Sequence, residues 1–207
     1  VGVFAVFSLV TALVLWGRNY DSFWTSLRHA AFQAASILTT TGFATQDYEL
    51  WPALPQCLLL FSMFLGGCAG STGGGIKCMR ILLLLKQVSL ELRRLIHPRA
   101  VMRIKLGGKN VPPDVISSIT GFFVLYLGLF IVSSFILAGL GVDVVSSFAA
   151  VTACIGNIGP GIGSVGPTEN YAHMPLAAKW VLTMCMLLGR LEIYTIVVLF
   201  VPEYWRK

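Results

Sequence analysis

The strongest constraint on the fold of this chain is a set of apolar runs long enough to cross a membrane. Continuous runs occupy residues 1–17, 115–140 and 176–201, each sufficient to span a hydrocarbon core of about 30 Å. A fourth run, residues 52–85, is interrupted at 66–75, a ten-residue stretch that contains six glycines. Together with a mean hydropathy of +0.79, these runs predict an all-α integral membrane protein with one broken span.

The distribution of charge predicts how the chain is oriented. Nine of the fifteen Lys and Arg residues lie within 77–109, whereas the loop 43–53 carries two acids and no base. Cytoplasmic loops of membrane proteins are enriched in these cations, so the 86–114 loop and the C-terminus are predicted to be cytoplasmic. The net charge of +6 therefore reflects topology, and no nucleic-acid partner is expected. The first span begins at Val1 without the basic region of a signal peptide, which indicates a fragment of a longer protein.

Each of the two predicted external loops holds an apolar stretch that is too short to cross the bilayer. These stretches, residues 23–38 and 144–154, are each followed by a turn sequence that contains glycine. Asp21 and Asp143 stand at their entrances and are predicted to cap short helices. Either turn alone is more often an ordinary helix cap or loop. Two of them on the same side of the membrane favour a role in lining a pore.

The order of these segments predicts one structural unit used twice. The unit consists of a span, a pore helix, a filter loop and a second span. Residues 1–97 form one unit, 98–114 a cytoplasmic linker and 115–207 the other unit. Internal duplication of this kind is common in transport proteins, where it places equivalent elements around a pathway.

A short helix that ends inside the membrane exposes backbone carbonyl groups at that depth. Such groups are tolerated only when they are buried in protein or face a water-filled cavity, where they can coordinate a dehydrated cation. The helix also directs the negative end of its dipole toward the cavity. Glycine at the turn allows consecutive carbonyls to point the same way, because it reaches backbone angles that other residues avoid.

Three motifs in this chain resemble those of the Trk/Ktr/HKT superfamily of potassium transporters, most closely its bacterial TrkH-type membrane subunits. The motifs are Thr39-Thr40-Thr41-Gly42-Phe43, the glycine-rich tract from Gly66 to Lys77, and Gly156-Asn157-Ile158-Gly159-Pro160-Gly161. They occur in the expected order within the expected hydropathy pattern and cover nearly the whole chain. In that family four such units surround one pore, so the resemblance implies that this chain holds units three and four.

The resemblance also implies a function and a set of site residues. The expected function is potassium uptake through a selectivity filter, with potassium as the transported ligand and no cofactor. The two filter walls would be Thr40, Thr41, Gly42 and Phe43, and Asn157, Ile158, Gly159 and Pro160. Potassium would bind the backbone carbonyls of Thr41, Gly42, Ile158 and Gly159. Alignment of the two walls on Gly42 and Gly159 requires a one-residue offset after Phe32 and Phe148.

The glycine-rich tract is predicted to be an intramembrane gate. Its small side chains and freedom of conformation suit a segment that blocks the pathway and withdraws from it, as the resemblance also implies. The predicted gate residues are Gly70, Ser71, Thr72, Gly73, Gly74, Gly75, Lys77 and Arg190. The alternative is close helix packing, because Gly66 and Gly70, and Gly70 and Gly74, fit the small-xxx-small pattern.

Arg190 lies near the middle of the predicted last span, so its charge requires an explanation. We expect it to project toward the glycine-rich tract and to oppose cation passage while the gate is closed. The alternative is a structural ion pair with another helix. Glu192 lies only two residues further on, on a different helix face, and is not expected to be its simple partner.

Several partners are implied by the resemblance alone. They are the missing first and second pore units, a second copy forming a homodimer, and a cytoplasmic nucleotide-binding regulatory subunit of the TrkA type. The basic 86–109 loop would contact that subunit, although membrane topology and lipid phosphates explain the same charges equally well. The expected location is the bacterial inner membrane.

Two other classes of membrane protein remain as alternatives. An ion-coupled secondary transporter (a symporter) also uses broken helices, but Glu192 is the only carboxylate deep in a predicted span, which weakens proton coupling. A non-conducting structural subunit is the other alternative, since half a pore does not conduct by itself. An enzyme is not expected, because His29, His97 and His173 all lie outside the spans.

Overall fold

The computed structural model describes residues 2–68, 70–71, 73–97 and 103–205. Their α-helices are, in chain order, α1 (Gly2–Leu15), α2 (Phe23–Leu38), α3 (Ala53–Leu65), α4 (Cys78–Ile96), α5 (Pro113–Gly139), α6 (Val144–Ile155), α7 (Leu176–Arg190), α8 (Ile193–Val197) and α9 (Pro202–Trp205). Short 3-10 turns cover Tyr48–Leu50, Tyr171–His173 and Val198–Phe200. The predicted positions of both short helices and of the third span are confirmed by α2, α6 and α5.

Helix α5 is long and apolar enough to cross a membrane unaided, and within the described ranges it is the one helix of which this is true. Helices α1, α3 and α6 are apolar but shorter. The first predicted span, 1–17, ends as a helix at Leu15, because the chain turns at Gly17, whose φ is +74°. Length alone therefore identifies fewer spans than hydropathy predicts.

The prediction that the last span, 176–201, is continuous is wrong. Helix α7 ends at Arg190, and Glu192 adopts a left-handed φ of +59° before α8 begins at Ile193. A non-glycine residue in that conformation is uncommon and interrupts the helical hydrogen bonds. Arg190 consequently lies at a helix end. Within the described ranges, two of the predicted spans are interrupted where one interruption was predicted.

The prediction of a cytoplasmic loop starting at residue 86 is also wrong in part. Helix α4 begins at Cys78, two residues later than expected, and continues to Ile96. Arg93 and Arg94 occupy its last turn, where cations interact favourably with the helix dipole. Of the predicted linker 98–114, residues 98–102 lie outside the described residues.

A small antiparallel hairpin in the linker departs from the all-α prediction. Strand β1 (Lys105–Leu106) pairs with β2 (Lys109–Asn110). Gly107 and Gly108 connect them with φ values of +55° and +82°. Two consecutive positive φ angles match the right-handed twist of a hairpin, and glycine adopts them without strain.

The predicted helix caps are confirmed for one helix and wrong for the other. The Asp143 carboxylate accepts hydrogen bonds from the backbone N–H groups of Val145 and Ser146 at 3.1 and 3.3 Å. Helix α2 instead begins after Ser22, which makes no side-chain cap, and Asp21 lies one residue too early. Helix α6 is buried along most of its length. Its small residues, such as Ala149 and Ala150, allow α5 and α7 to pack closely against it.

Candidate functional site

Helix α2 ends in a Schellman motif. The backbone N–H of Thr40 donates to the Ile37 carbonyl at 3.0 Å, and that of Thr41 donates to the Ser36 carbonyl at 2.8 Å. These two bonds satisfy carbonyl groups that a helix C-terminus otherwise leaves without a partner. The chain then turns sharply, and the next residues leave the helix axis.

Helix α6 ends in the same hydrogen-bond pattern. The N–H of Asn157 donates to the Cys154 carbonyl at 3.1 Å, and that of Ile158 donates to the Ala153 carbonyl at 2.9 Å. Each donor is separated from its acceptor by the same number of residues as in the first turn. The Asn157 side chain also donates to the Met186 carbonyl at 3.2 Å, which ties the turn to α7.

The backbone angles of the two turns agree as well. Thr40 and Asn157 have φ values of +56° and +53°, and Gly42 and Gly159 have +79° and +106°. A β-branched threonine in this region is a genuine outlier, and strain of this kind is concentrated at functional sites. In each turn the glycine follows the first positive-φ residue by two positions, so Gly42 corresponds to Gly159. The expected one-residue offset therefore lies within the helices and not within the turns.

The two turns meet at Gly42. A Cβ atom built on Gly42 would collide with the carbonyl oxygen of Ile158 and would lie 3.1 Å from Cδ of Pro160. No side chain fits there unless one turn moves. The structure therefore brings the two predicted filter walls together, while the Phe43 side chain, 71% exposed, lies outside this contact.

Two tyrosine hydroxyls hold the second turn, and sequence reasoning missed both. Tyr171 donates to the Gly159 carbonyl at 2.7 Å, and the buried Tyr48 donates to the Gly161 carbonyl at 2.8 Å. Burial raises the pKa of both phenols, so they remain protonated donors. Each is one tyrosine in a predicted external loop, and the sequence gives no signal for such a contact.

Some backbone carbonyl groups of the two turns accept hydrogen bonds from the described part of the protein, and others do not. In the part of the chain that the structure describes, no hydrogen bond reaches the carbonyl of Thr41, Gly42 or Ile158. The Gly159 carbonyl accepts the Tyr171 hydroxyl and retains a second lone pair. No cluster of three or more His, Cys, Asp or Glu side chains gathers to hold a metal ion among these residues. The backbone oxygens of Thr41, Gly42 and Ile158 are of the kind that coordinates a dehydrated cation.

The glycine-rich tract lies against both turns. A Cβ atom built on Gly73 would lie 2.7 Å from Oγ1 of Thr40, and one built on Gly74 would collide with the Gly156 carbonyl. The ends of the tract are pinned together, because the N–H of Ile76 donates to the Phe64 carbonyl at 3.2 Å. Gly70 has a φ of +84°, Ser71 donates to the Cys68 carbonyl, and Thr72 lies outside the described residues.

A cavity of about 100 Å³ adjoins the tract and the interruption between α7 and α8. Its lining includes Gly73 and Gly75 of the tract, the predicted gate residues Lys77 and Arg190, and two further charged residues, Arg80 and Glu192. Among the described residues, three cations and one carboxylate thus share a small space. The cavity is the point where the two interrupted spans come together.

Glu192 joins the two interruptions through ion pairs. Its carboxylate lies 3.0 Å from Nζ of Lys77 and 3.1 Å from Nη2 of Arg80. The Arg80 guanidinium also stacks over the Phe122 ring at 4.1 Å. In the sequence, Glu192 lies on a different helix face from Arg190 and is the only carboxylate deep in a predicted span. Neither observation predicts its ion pairs with Lys77 and Arg80.

Comparison with known proteins identifies close relatives. Residues 22–207 match the family model TrkH, described as cation transport protein. The chain is 49% identical to the Trk system potassium uptake protein TrkH of Salmonella typhimurium, over 100% of this chain and 43% of that protein. It is 41% identical to TrkG of Escherichia coli, over 96% of this chain and 41% of that protein.

A solved structure gives the same result. The crystal structure of the potassium transporter TrkH from Vibrio parahaemolyticus superposes with a TM-score of 0.91 and 45% identity, over 99% of this chain and 44% of that chain. The chain thus spans less than half the length of the relatives that it matches.

Proposed function

The chain belongs to the TrkH family of cation transport proteins, and we propose that it forms half of a potassium uptake pore in a bacterial inner membrane. Relatives that match over its whole length are named potassium uptake proteins. In this proposal the chain supplies the third and fourth pore units, as its resemblance to the family implies, and the first and second belong to the remainder of the parent protein. The chain's coverage of less than half of those relatives supports a missing half.

The observation that carries the proposal is the pair of matching turns that meet at Gly42. They support a filter in which the carbonyls of Thr41, Gly42, Ile158 and Gly159 replace water around potassium. The C-termini of α2 and α6 lead into these turns, so both helix dipoles favour a cation there. Tyr171 fixes the direction of the Gly159 carbonyl.

The gate in this proposal is the glycine-rich tract together with the cavity beside it. The contact of the tract with both turns supports a role in obstructing an ion that leaves the filter. Among the described residues that line the cavity, Lys77 and Arg80 by themselves outnumber the one carboxylate, and Arg190 also carries a positive charge. Like charges a few Å apart repel by about 4 kcal/mol at an effective dielectric of about 20, so this surplus opposes potassium.

The two ion pairs of Glu192, with Lys77 and with Arg80, hold the gate closed in this proposal, and we call them the clasp. The clasp connects the start of α4 to the interruption of the last span through Lys77 and Arg80. The left-handed backbone of Glu192 is a strained conformation of the kind that persists where surrounding contacts hold it. Opening requires the tract to move away from the turns, and the clasp resists that movement.

The filter assignment is tested by rubidium flux and reversal potentials of the full-length parent protein in liposomes. Gly42→Ala should abolish selective potassium flux, because the added methyl group collides with the Ile158 carbonyl. Gly159→Ala should weaken selectivity through its φ of +106°. Gly139→Ala is the control, since its Cβ atom would meet nothing within 4 Å. Unaltered selectivity in both filter variants would remove the assignment.

The remaining assignments complete the proposal. The C-terminus is cytoplasmic, the parent protein forms a homodimer, and a nucleotide-binding subunit of the TrkA type regulates it. Conduction is channel-like, and the alternatives of an ion-coupled transporter and a non-conducting subunit are separated from it by one measurement. A reversal potential that follows the potassium gradient alone, at varied proton and sodium gradients, supports the channel.

A further inference from the structure

A second group of cations lies between the C-terminal half of α4 and the hairpin. They border a cavity of about 450 Å³, which Ser89, Leu90 and Ile104 also line. The cations are Lys86, Arg93, Arg103 and Lys105, and no carboxylate of the described residues joins them in the lining. The Nζ atom of Lys86 donates to the Lys105 carbonyl at 2.7 Å, which holds the hairpin against the helix.

Beside this cavity, α4 carries an exposed apolar stripe. Leu85, Val88, Leu92 and Leu95 are 61%, 57%, 58% and 80% exposed. Their spacing of three, four and three residues places them on one face of the helix. Lys86 and Arg93 each follow a member of the stripe by one residue, so the cations form its edge.

This combination fits one kind of ligand better than others. An apolar stripe with cations along one edge matches a phospholipid, whose chains lie on the stripe and whose phosphate reaches the cations. A free phosphate ion would use the cations but leave the stripe exposed. The cavity also lies at the cytoplasmic end of the broken span, in the orientation that the proposed function assigns.

We infer that the cavity bordered by Lys86, Arg93, Arg103 and Lys105 binds the headgroup of an anionic phospholipid of the cytoplasmic leaflet. The phosphate accepts hydrogen bonds from the four side chains, and the acyl chains cover Leu85 and Val88. The inference rests on the proposed function only for the side of the membrane, because the cluster and the stripe are features of the chain itself.

The test measures lipid binding to the full-length parent protein in detergent. Native mass spectrometry and thermal unfolding are recorded with added phosphatidylglycerol and with added phosphatidylcholine. The double variant Lys86→Gln and Arg103→Gln is compared with a charge-matched control, Arg28→Gln and Lys109→Gln, whose residues are exposed and lie outside the cavity lining.

Phosphatidylglycerol should bind and stabilise the wild-type protein and the control, and phosphatidylcholine should not. The double variant should bind phosphatidylglycerol roughly thirtyfold more weakly, since each cation near an anionic lipid surface contributes about fivefold. Equal binding in both double variants would overturn the inference. Stabilisation by inorganic phosphate that matches phosphatidylglycerol would also overturn it, in favour of a free anion site.

A protein occupant gives a different result. In that case the double variant would no longer bind the regulatory subunit but would bind phosphatidylglycerol as the wild type does. That result would identify the cavity as a protein-docking site and overturn the inference. None of these readouts depends on ion flux, so failure of the filter assignment and failure of the lipid site are distinguishable.

Discussion

Replacing Glu192 with glutamine tests the clasp between the two interrupted spans. Glu192→Gln keeps the shape of the side chain but removes the charge that pairs with Lys77 and Arg80. The Glu192 side chain is 43% exposed, so each ion pair is worth about 0.5–1 kcal/mol. Loss of both should shift the balance between closed and open gate by about 1–2 kcal/mol, or roughly five- to thirtyfold toward open.

The same substitution has an opposite effect on the current through one open pore. Removal of the carboxylate increases the cationic surplus in the cavity, so the unitary conductance should fall. Single-channel recording of the parent protein in planar bilayers separates the two quantities, because open probability and unitary current are measured independently. Glu203→Gln, on exposed helix α9, is the matched control and should change neither.

A double-mutant cycle makes the test specific. If Glu192 acts through Lys77, then Lys77→Gln should raise open probability by a similar factor, and the double variant should show less than the sum of the two effects. An open probability that is unchanged or lowered in Glu192→Gln, in protein that folds and incorporates normally, would refute the clasp.

Three further predictions concern the turns and loops. Tyr171→Phe should reduce potassium-over-sodium selectivity about two- to tenfold, the worth of one hydrogen bond, and the exposed Tyr204→Phe should not; bi-ionic reversal potentials measure this. Burial raises the pKa of Glu49 in the folded protein. The free energy of unfolding therefore falls as pH rises through the folded pKa, because the buried carboxyl must then ionise. Glu49→Gln should therefore raise the melting temperature at pH 7 but not below about pH 4, the range of an unfolded glutamate. Asp143→Ala should destabilise the protein by about 1 kcal/mol in denaturant titrations, whereas Asp21→Ala should be nearly neutral.

Hydropathy and glycine content predicted those helices whose ends are set by the local sequence. The bounds of α2 and the interruption after Leu65 came directly from apolar runs and from the glycines that separate them. Membership of the TrkH family is confirmed, and the names of the relatives agree with the prediction that the chain is not an enzyme.

The interruption of the last span could not be predicted in this way. Neither Leu191 nor Glu192 is a helix breaker, and the apolar run continues through Ile193 to Val201. The left-handed angle at Glu192 accompanies tertiary contacts with Lys77 and Arg80, which are distant in sequence. Such contacts can override local propensity, and no window of neighbouring residues contains them.

For the site, the sequence predicted which residues form the two turns but not how these residues contact one another. The two glycine-bearing turns were identified, but the Schellman hydrogen bonds and the contact of Gly42 with Ile158 depend on three-dimensional placement. The same is true of Tyr171, which reaches the second turn from a separate loop.

A potassium filter built from the two turns requires that their backbone carbonyls face a common ion path. The most direct measurement is an anomalous-scattering map of crystals of the full-length parent protein grown with rubidium or thallium. A peak is expected within coordination distance of the carbonyls of Thr41, Gly42, Ile158 and Gly159. A fully occupied ion elsewhere in the protein, with no peak beside these carbonyls, would contradict it.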